Sequence, residues 1–272
     1  MESVIRTAVI MARGLGTRMR RTDAAAALDA SQAAAAESGV KGMIPIKRPF
    51  LEYVISALAD AGLDDIVLVI GPEHDAIRAH FMQRAAPERV RIRYAVQDAP
   101  IGTANAIATA AEVVGPVPFL ALNADNYYPA EAFRALAAED SAGTVAFDRD
   151  ALVREGNINA ERVRAFAVLT VDASGLLTGI VEKPGDSLDL TSEAARWVGM
   201  NLWAITPEIV AACHRVPLSA RGEYELPEAV GLAVREGVPV RAVRMAAPVL
   251  DLSQRSDIAS VVERLSTVEP RL

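Results

Sequence analysis

The sequence predicts an α/β fold, with a mainly parallel mixed sheet flanked by helices and an α+β second half. Three observations carry this reading. Short apolar runs alternate with longer helical patterns through the first half of the 272-residue chain. Those runs are apolar throughout, as in strands covered on both faces. Beyond about residue 140, strands follow one another with fewer helices between them, which is an α+β pattern.

In order, residues 7–12 (TAVIMA), 65–70 (DIVLVI), 90–96 and 117–123 (VPFLALN) read as strands, with helices over 49–61, 73–84 and 103–114. In the second half, 144–147, 165–171, 177–181, 198–205 and 238–244 read as strands. No Pro/Ser-rich linker and no repeat interrupts the chain, so one domain over 1–272 is expected. Residues 23–39 (DAAAALDASQAAAAESG) favour helix strongly but offer only Leu28 as a large apolar anchor. They predict an alanine-rich surface helix or a flap with little packing of its own, and a flap closing over a ligand stays open.

Composition removes several function classes. With 28 Lys+Arg against 35 Asp+Glu, the net charge of -7 argues against a protein that tracks a nucleic-acid backbone. A single Cys213 excludes an internal disulfide and a cysteine-based zinc site, which suits a reducing compartment. No run approaches the about 18 apolar residues of a membrane span, and Met1-Glu2-Ser3 lacks a basic leader start. A cytoplasmic protein without membrane or nucleic-acid partners is expected, and a homo-oligomer stays open.

Two motifs carry chemistry. In the first, a strand runs into Gly14-Leu15-Gly16-Thr17-Arg18, a turn whose successive N–H groups can cradle phosphate oxygens while Arg18 adds a fork of charged donors. A dinucleotide fingerprint would need glycine at Met19 and a P-loop would need Gly-Lys-Ser/Thr, so neither applies and a plain glycine turn is equally compatible. In the second, Val40-Lys41-Gly42-Met43-Ile44-Pro45-Ile46 leads into Arg48-Pro49-Phe50-Leu51-Glu52-Tyr53, so that a lysine precedes an apolar turn and a helix.

Together these resemble the signature of the sugar-1-phosphate nucleotidyltransferases, or NDP-sugar pyrophosphorylases: strand, GxGTR, then Lys, an apolar pair, Pro and a helix. The resemblance continues through Gln97-Asp98-Ala99-Pro100-Ile101-Gly102-Thr103-Ala104, like the base-reading loop, and Asn123-Ala124-Asp125-Asn126, where the family places its first metal aspartate. Glu182-Lys183-Pro184 matches the family's EKP, residues 198–207 (VGMNLWAITP) resemble the next sugar-site strand, and Val249-Leu250-Asp251 resembles the late metal aspartate. Six motifs in this order are specific.

The resemblance implies a Rossmann-like nucleotidyltransferase fold, with an NTP-binding part over about 1–125 and a sugar-phosphate-binding part over about 126–272. It implies that Gly14, Leu15, Gly16, Thr17 and Arg18 hold the triphosphate, Lys41 the α-phosphate, and Gln97 and the Gly102 backbone the base, with Thr103 also at the nucleotide. Asp125 and Asp251 would hold Mg²⁺, Lys183 the sugar phosphate and Glu182 the sugar, with Asn126 and Asn201 as further candidates to meet the sugar. The substrates would be an NTP, dTTP or UTP by resemblance, and a sugar-1-phosphate.

That chemistry explains the residue types. The attacking phosphate oxygen is already anionic, so no general base is required. The barrier lies in bringing two polyanions together and stabilising the transferring phosphoryl group. His74, His80 and His214 lie outside every motif and read as structural or surface. Arginine outnumbers lysine 25 to 3, yet two of the three lysines, Lys41 and Lys183, fall where the resemblance calls for lysine. A compact ammonium acts as a point charge, unlike a planar guanidinium. Lys47 reads as solvated, with a second phosphate contact as the alternative.

Departures mark a divergent branch. Arg13 stands where the family usually has a small residue, and 22 residues (19–40) separate Arg18 from Lys41, more than is usual. Asn201 replaces a customary glycine, and its amide could bond a ligand. Glu223-Tyr224-Glu225-Leu226-Pro227 is a further departure. Two alternatives stay open: a nucleotidyltransferase of a cyclitol phosphate or phosphocholine, and a non-catalytic sugar-nucleotide-binding regulator. Retention of Arg18, Lys41, Lys183, Asp125 and Asp251 speaks against the regulator.

Overall fold

A computed structural model describes residues 5–23, 26, 28–187, 189 and 191–272. The first half runs β1 (Thr7–Met11), α1 (Thr17–Arg20), α2 (Ala30–Ser38), α3 (Phe50–Asp60), β2 (Asp65–Ile70), α4 (Asp75–Ala79), β3 (Arg91–Val96), α5 (Thr103–Val114) and β4 (Phe119–Asn123). Then come β5 (Asn126–Tyr127), α6 (Ala130–Ala137), β6 (Ala142–Asp148), α7 (Arg149–Glu155), β7 (Ala167–Val171), β8 (Leu177–Val181) and β9 (Trp197–Ile205). The chain ends with α8 (Pro207–Cys213), α9 (Leu226–Arg235), β10 (Val240–Met245), β11 (Leu250–Asp251) and α10 (Asp257–Leu265).

The main sheet has the order β10-β6-β9-β4-β1-β2-β3, with the β7–β8 hairpin branching from β9. β1 lies parallel to both β2 and β4, and β2 parallel to β3. The sheet turns mixed where β9 inserts antiparallel between β4 and β6. Along β1, Ala8 and Ile10 face one apolar layer with Phe50, Val54 and Phe133, while Val9 faces the other with Ile107, Phe119 and Trp203. Burial on both faces is why these strands read as unbroken apolar runs.

The boundaries of β2, α5 and β8 match the sequence reading. The helix expected over 73–84 is broken, because α4 gives way to a π-helical turn over His80–Arg84. The second half also holds more helix than expected, α6 to α10. In α10 the buried Ile258, Val261 and Leu265 recur at helical spacing and pack into the main core.

The alanine-rich segment forms a surface helix, one of the two expected readings, but it is more firmly packed than expected. Residues 24, 25 and 27 lie outside the described residues, and the helix covers Ala30–Ser38. Asp29 starts it with a reciprocal cap: its carboxylate accepts from Gln32 N at 2.8 Å while Gln32 Oε1 accepts from Asp29 N at 3.2 Å. Ala36 is fully buried and joins the main core, with Leu28 and Ala35 packed against it. Alanine here permits close approach, so the lack of large side chains misleads about burial.

Candidate active site

The carboxyl ends of β1, β3 and β4 converge where the strand order reverses about β1, the place where open α/β sheets form ligand crevices. A cleft of about 380 Å³ opens there, lined by Gly14, Leu15, Gly16, Thr17, Arg18, Lys41, Gln97, Gly102, Thr103 and Asp125 among others. All the residues expected to bind the NTP therefore meet in one place. Glu182, Lys183, Asn201, Asn126 and Asp251 are not in that lining.

Each wall has a local cause. The loop after β1 exposes Gly14, Leu15, Thr17 and Arg18, and Arg18 makes no ion pair among the described residues. Lys41 opens a one-turn 3₁₀ helix, Lys41–Met43, that the fully buried Ile44 anchors to the core. Lys41 Nζ meets Asp125 Oδ2 at 2.7 Å, both side chains 18% exposed. Asp125 occupies the tight turn between β4 and β5, and its carbonyl accepts from Leu252 N at 2.8 Å.

That bond continues the antiparallel β5–β11 ladder, in which Asp251 opposes Asn126. Asp251 is buried, and burial together with the nearby Asp125 charge raises its carboxyl above the ordinary range, against the pull of Arg162. Arg162 donates to Asp251 Oδ2 and, at 2.5 Å, to Asp257 Oδ1. Ser253 Oγ and Asn126 Nδ2 donate to Asp251 Oδ1 at 3.0 and 3.1 Å. Asn157 brackets the backbone, donating to Asp251 O at 2.9 Å and accepting from Asp251 N at 2.8 Å.

The β5–β11 pairing and the Leu252 N to Asp125 O bond set the two aspartates side by side, with one lone pair of Asp251 Oδ2 not used by Arg162. Two neighbouring carboxylates are the donor chemistry a hard dication suits, so Asp125 and Asp251 fit Mg²⁺. Among the described residues no group of three or more His, Cys, Asp or Glu could hold a metal, so phosphate oxygens and water would complete the shell.

Several expected roles change. Asn126, expected to meet sugar, is only 3% exposed and its amide is committed to Asp251. Thr103 Oγ1 accepts from Leu226 N at 2.8 Å, so its hydroxyl starts α9. Arg13 is buried, with its guanidinium tied to the carbonyls of Gln97 and Asp98 at 2.6 and 3.1 Å and to Glu73 at 3.1 Å. It braces the loops and is not available to phosphate. Lys47 bonds the Ser266 carbonyl, away from the cleft. His74 accepts from Gly71 N and His80 pairs with the buried Glu52, in keeping with structural roles.

Asn201 and Lys183 are the non-glycine residues with positive φ among the described residues, at 57° and 46°. Asn201 lies in a β9 bulge, where Gly199 and Trp203 oppose Ala146 and Thr144. Asparagine tolerates this conformation best after glycine. The backbone therefore explains the exchange for glycine without a ligand.

Gln97 Nε2 donates to Gly102 O at 3.1 Å and Asn105 Oδ1 at 2.8 Å. The Gly102 carbonyl can only accept, which fixes the amide's orientation, and Oε1 has no partner among the described residues. A Cβ on Gly102 would stand 2.2 Å from Tyr224 O, so the segment before α9 presses on the loop that carries Gln97 and Gly102. That segment brings Glu223 into the cleft wall. It also faces Glu182, whose carboxyl burial pushes up to about 7, helped by Glu225. Lys183 Nζ lies 3.9 Å from Glu182 Oε1.

Sequence reasoning missed Arg162, Asn157 and Asp257, and it noted Glu223 only as part of a departure, without a place in the site. Asn159, which caps the 3₁₀ turn bearing Arg162, is a local signal, but nothing local points 89 residues onward to Asp251.

The nucleotidyl transferase family matches residues 36–252, most of the chain, and this chain belongs to it. It is an enzyme of the sugar-1-phosphate nucleotidyltransferase class, which joins an NTP to a sugar-1-phosphate and releases pyrophosphate. It is 28% identical over 261 residues to the UTP–glucose-1-phosphate uridylyltransferase AglF of Haloferax volcanii, covering 95% of this chain and 96% of that protein. It is 27% identical over 269 residues to a glucose-1-phosphate thymidylyltransferase of Streptomyces griseus, covering 97% and 67%. Among solved structures, UTP-bound UGPase from Acinetobacter baumannii aligns with a TM-score of 0.75 at 20% identity, over 98% and 95% of the two chains. At that identity the likeness establishes the fold. No helix among the described residues is long and apolar enough to cross a membrane.

Proposed function

We propose that the cleft takes UTP or dTTP with Mg²⁺, and that a hexose-1-phosphate attacks the α-phosphate in line. The observation that carries this is the convergence of the Gly14–Arg18 loop, the Lys41–Asp125 pair and Gln97 on one cleft. The names of the relatives support a pyrimidine nucleotide and glucose-1-phosphate as the first pair to test. The Gln97 Oε1 acceptor suits the imide N–H of uracil or thymine, whereas cytosine presents an acceptor there.

In this reading the glycine-loop amides and Arg18 hold the β- and γ-phosphates and steady the departing pyrophosphate. Lys41 neutralises the α-phosphate as the triphosphate bends, and Lys183 holds the incoming sugar phosphate. Mg²⁺, held by Asp125 and Asp251, would supply charge neutralisation at the phosphates. One metal carboxylate comes from each half of the chain, and Glu223 brings the second half into the NTP wall. The chain thus works as one domain. Substrates of this kind and a single cysteine, which leaves the chain without an internal disulfide, support a cytoplasmic site of action.

Pyrophosphate release across a grid of NTPs and sugar-1-phosphates tests the reading. Turnover is expected with UTP or dTTP, and silence across the whole grid would favour a non-catalytic binder.

Glu182 gives a pH signature. Its carboxyl titrates near 7, so it accepts fully from sugar hydroxyls only above that pH. KM for the sugar-1-phosphate is expected to fall as pH rises through about 7, and the part of this limb that belongs to Glu182 should be lost in Glu182→Gln. The substrate phosphate titrates as well, and comparison with the variant separates the two. Stability has the opposite sense. The folded carboxyl lies above its ordinary 4.5, so Glu182's contribution is full at low pH and is lost as pH rises through about 7. A wild-type KM profile retained in Glu182→Gln would refute the sugar contact.

A further inference from the structure

We propose that the inserted helix α2 is a splint holding the glycine loop and Lys41 in register, with Gly39 and Arg20 as its positioning residues. The proposal rests on the reading of that loop and Lys41 as the triphosphate site.

The contact is between two left-handed glycines. Gly16, before α1, has φ +61°, and Gly39, after α2, has φ +75°. A Cβ on Gly16 would stand 2.2 Å from Gly39 O and 2.6 Å from its Cα. A Cβ on Gly39 would stand 2.9 Å from Leu15 O and 2.4 Å from Arg20 Nε. The two backbones approach with no side chain between them, so neither has room to shift toward the other.

Three further bonds make the contact a junction. Gly39 O accepts from Lys41 N at 3.0 Å, tying the end of α2 to the residue that faces Asp125. Arg20 Nη2 donates to Ser38 O at 2.7 Å, covering carbonyls that a helix end leaves unpaired. At the other end of the helix, Gln32 Nε2 donates to Pro45 O at 3.2 Å. The helix is thus fastened on both sides of Lys41, and the buried Ala36 holds it to the core between them. On the opposite flank, Arg255 Nε donates to Met19 O at 3.0 Å, linking α1 to the segment that follows Asp251.

The alanine-rich composition then has a purpose. A smooth helix with one buried alanine sits close enough for its terminal glycine to touch the loop. Catalysis in this class depends on placing phosphates against fixed donors, where about 1 Å of misplacement costs about a hundredfold.

The test uses UTP and glucose-1-phosphate with the full-length enzyme. Gly39→Ala pushes on the Leu15 carbonyl, and KM for UTP is expected to rise about tenfold or more, with a fall in kcat. KM for glucose-1-phosphate should stay within about twofold, because the loop does not hold it. Arg20→Ala removes the Ser38 contact without adding an atom and should raise KM for UTP by about threefold to tenfold, partly restored in Arg20→Lys. A merely structural helix would lower Tm and leave the ratio of the two KM values unchanged. Should Gly39→Ala not fold, Arg20→Ala carries the test. Wild-type KM for UTP in the folded variants, or an equal rise in both KM values, overturns the splint. Lys41→Met separates this from the underlying reading: if that variant keeps full turnover, the site assignment itself fails.

Discussion

Lys41→Met is expected to lower kcat by roughly 10²–10³-fold, the cost of losing one preorganised charge at a developing oxyanion. The ammonium sits 2.7 Å from Asp125 Oδ2, 18% exposed, on a turn that Ile44 pins to the core. Two unit charges 4 Å apart at an effective dielectric of 20 interact by about 4 kcal/mol, so a cation in this half-dry cleft acts strongly on a phosphoryl oxygen. Arginine should not rescue it. A planar fork cannot occupy the place of a compact ammonium beside Asp125, and Lys41→Arg is expected to recover less than about a tenth of the lost rate. Tm should move little, because Asp125 stays in contact with water. Pyrophosphate release at saturating substrates measures the effect, and turnover within about threefold of wild type would refute the assignment.

Much of this site was readable along the chain because its parts are local. Gly14–Arg18, Lys41 with its apolar anchor, and Gln97–Thr103 each lie within a few residues of a strand end, and the fold brings strand ends together. The apolar runs revealed β1, β2 and β4 because both faces of each are buried. What was not readable is long-range or conformational. Arg162 reaches Asp251 from 89 residues away, and its own neighbourhood shows only an ordinary capped turn. Asn201 reads as a polar substitution, yet its φ of 57° makes it a backbone adaptation. Asn126 and Thr103 lie at the expected places, but each side chain is committed to a neighbour, Asp251 and Leu226. The insertion misleads for a third reason. Burial of an alanine leaves no hydrophobic stripe, so Ala36 gives no sign of the contact it makes.

Asp125→Asn and Asp251→Asn are each expected to lower kcat by about 10²–10³-fold, and the double variant should lose little more than either alone. Groups that hold one ion act as a unit, and their deletions are not additive. The two sites nonetheless differ in their partners. Asp125 has Lys41 and some access to water, so the amide removes a charge without stranding a buried group. Asp251 is buried under Arg162, but Arg162 also holds Asp257, which in turn accepts from Ser253 N and Gln254 N at 2.9 Å. The guanidinium therefore keeps a partner in Asp251→Asn, and the fold should survive with a lower Tm. Mn²⁺ titrated into the UTP complex and followed by electron paramagnetic resonance gives a readout independent of turnover. Both single variants should weaken that binding by about 10–100-fold. Fully additive losses in kcat, with Mn²⁺ affinity unchanged in either variant, would mean that the two carboxylates do not share an ion and that Arg162 and Lys41 are their only cations.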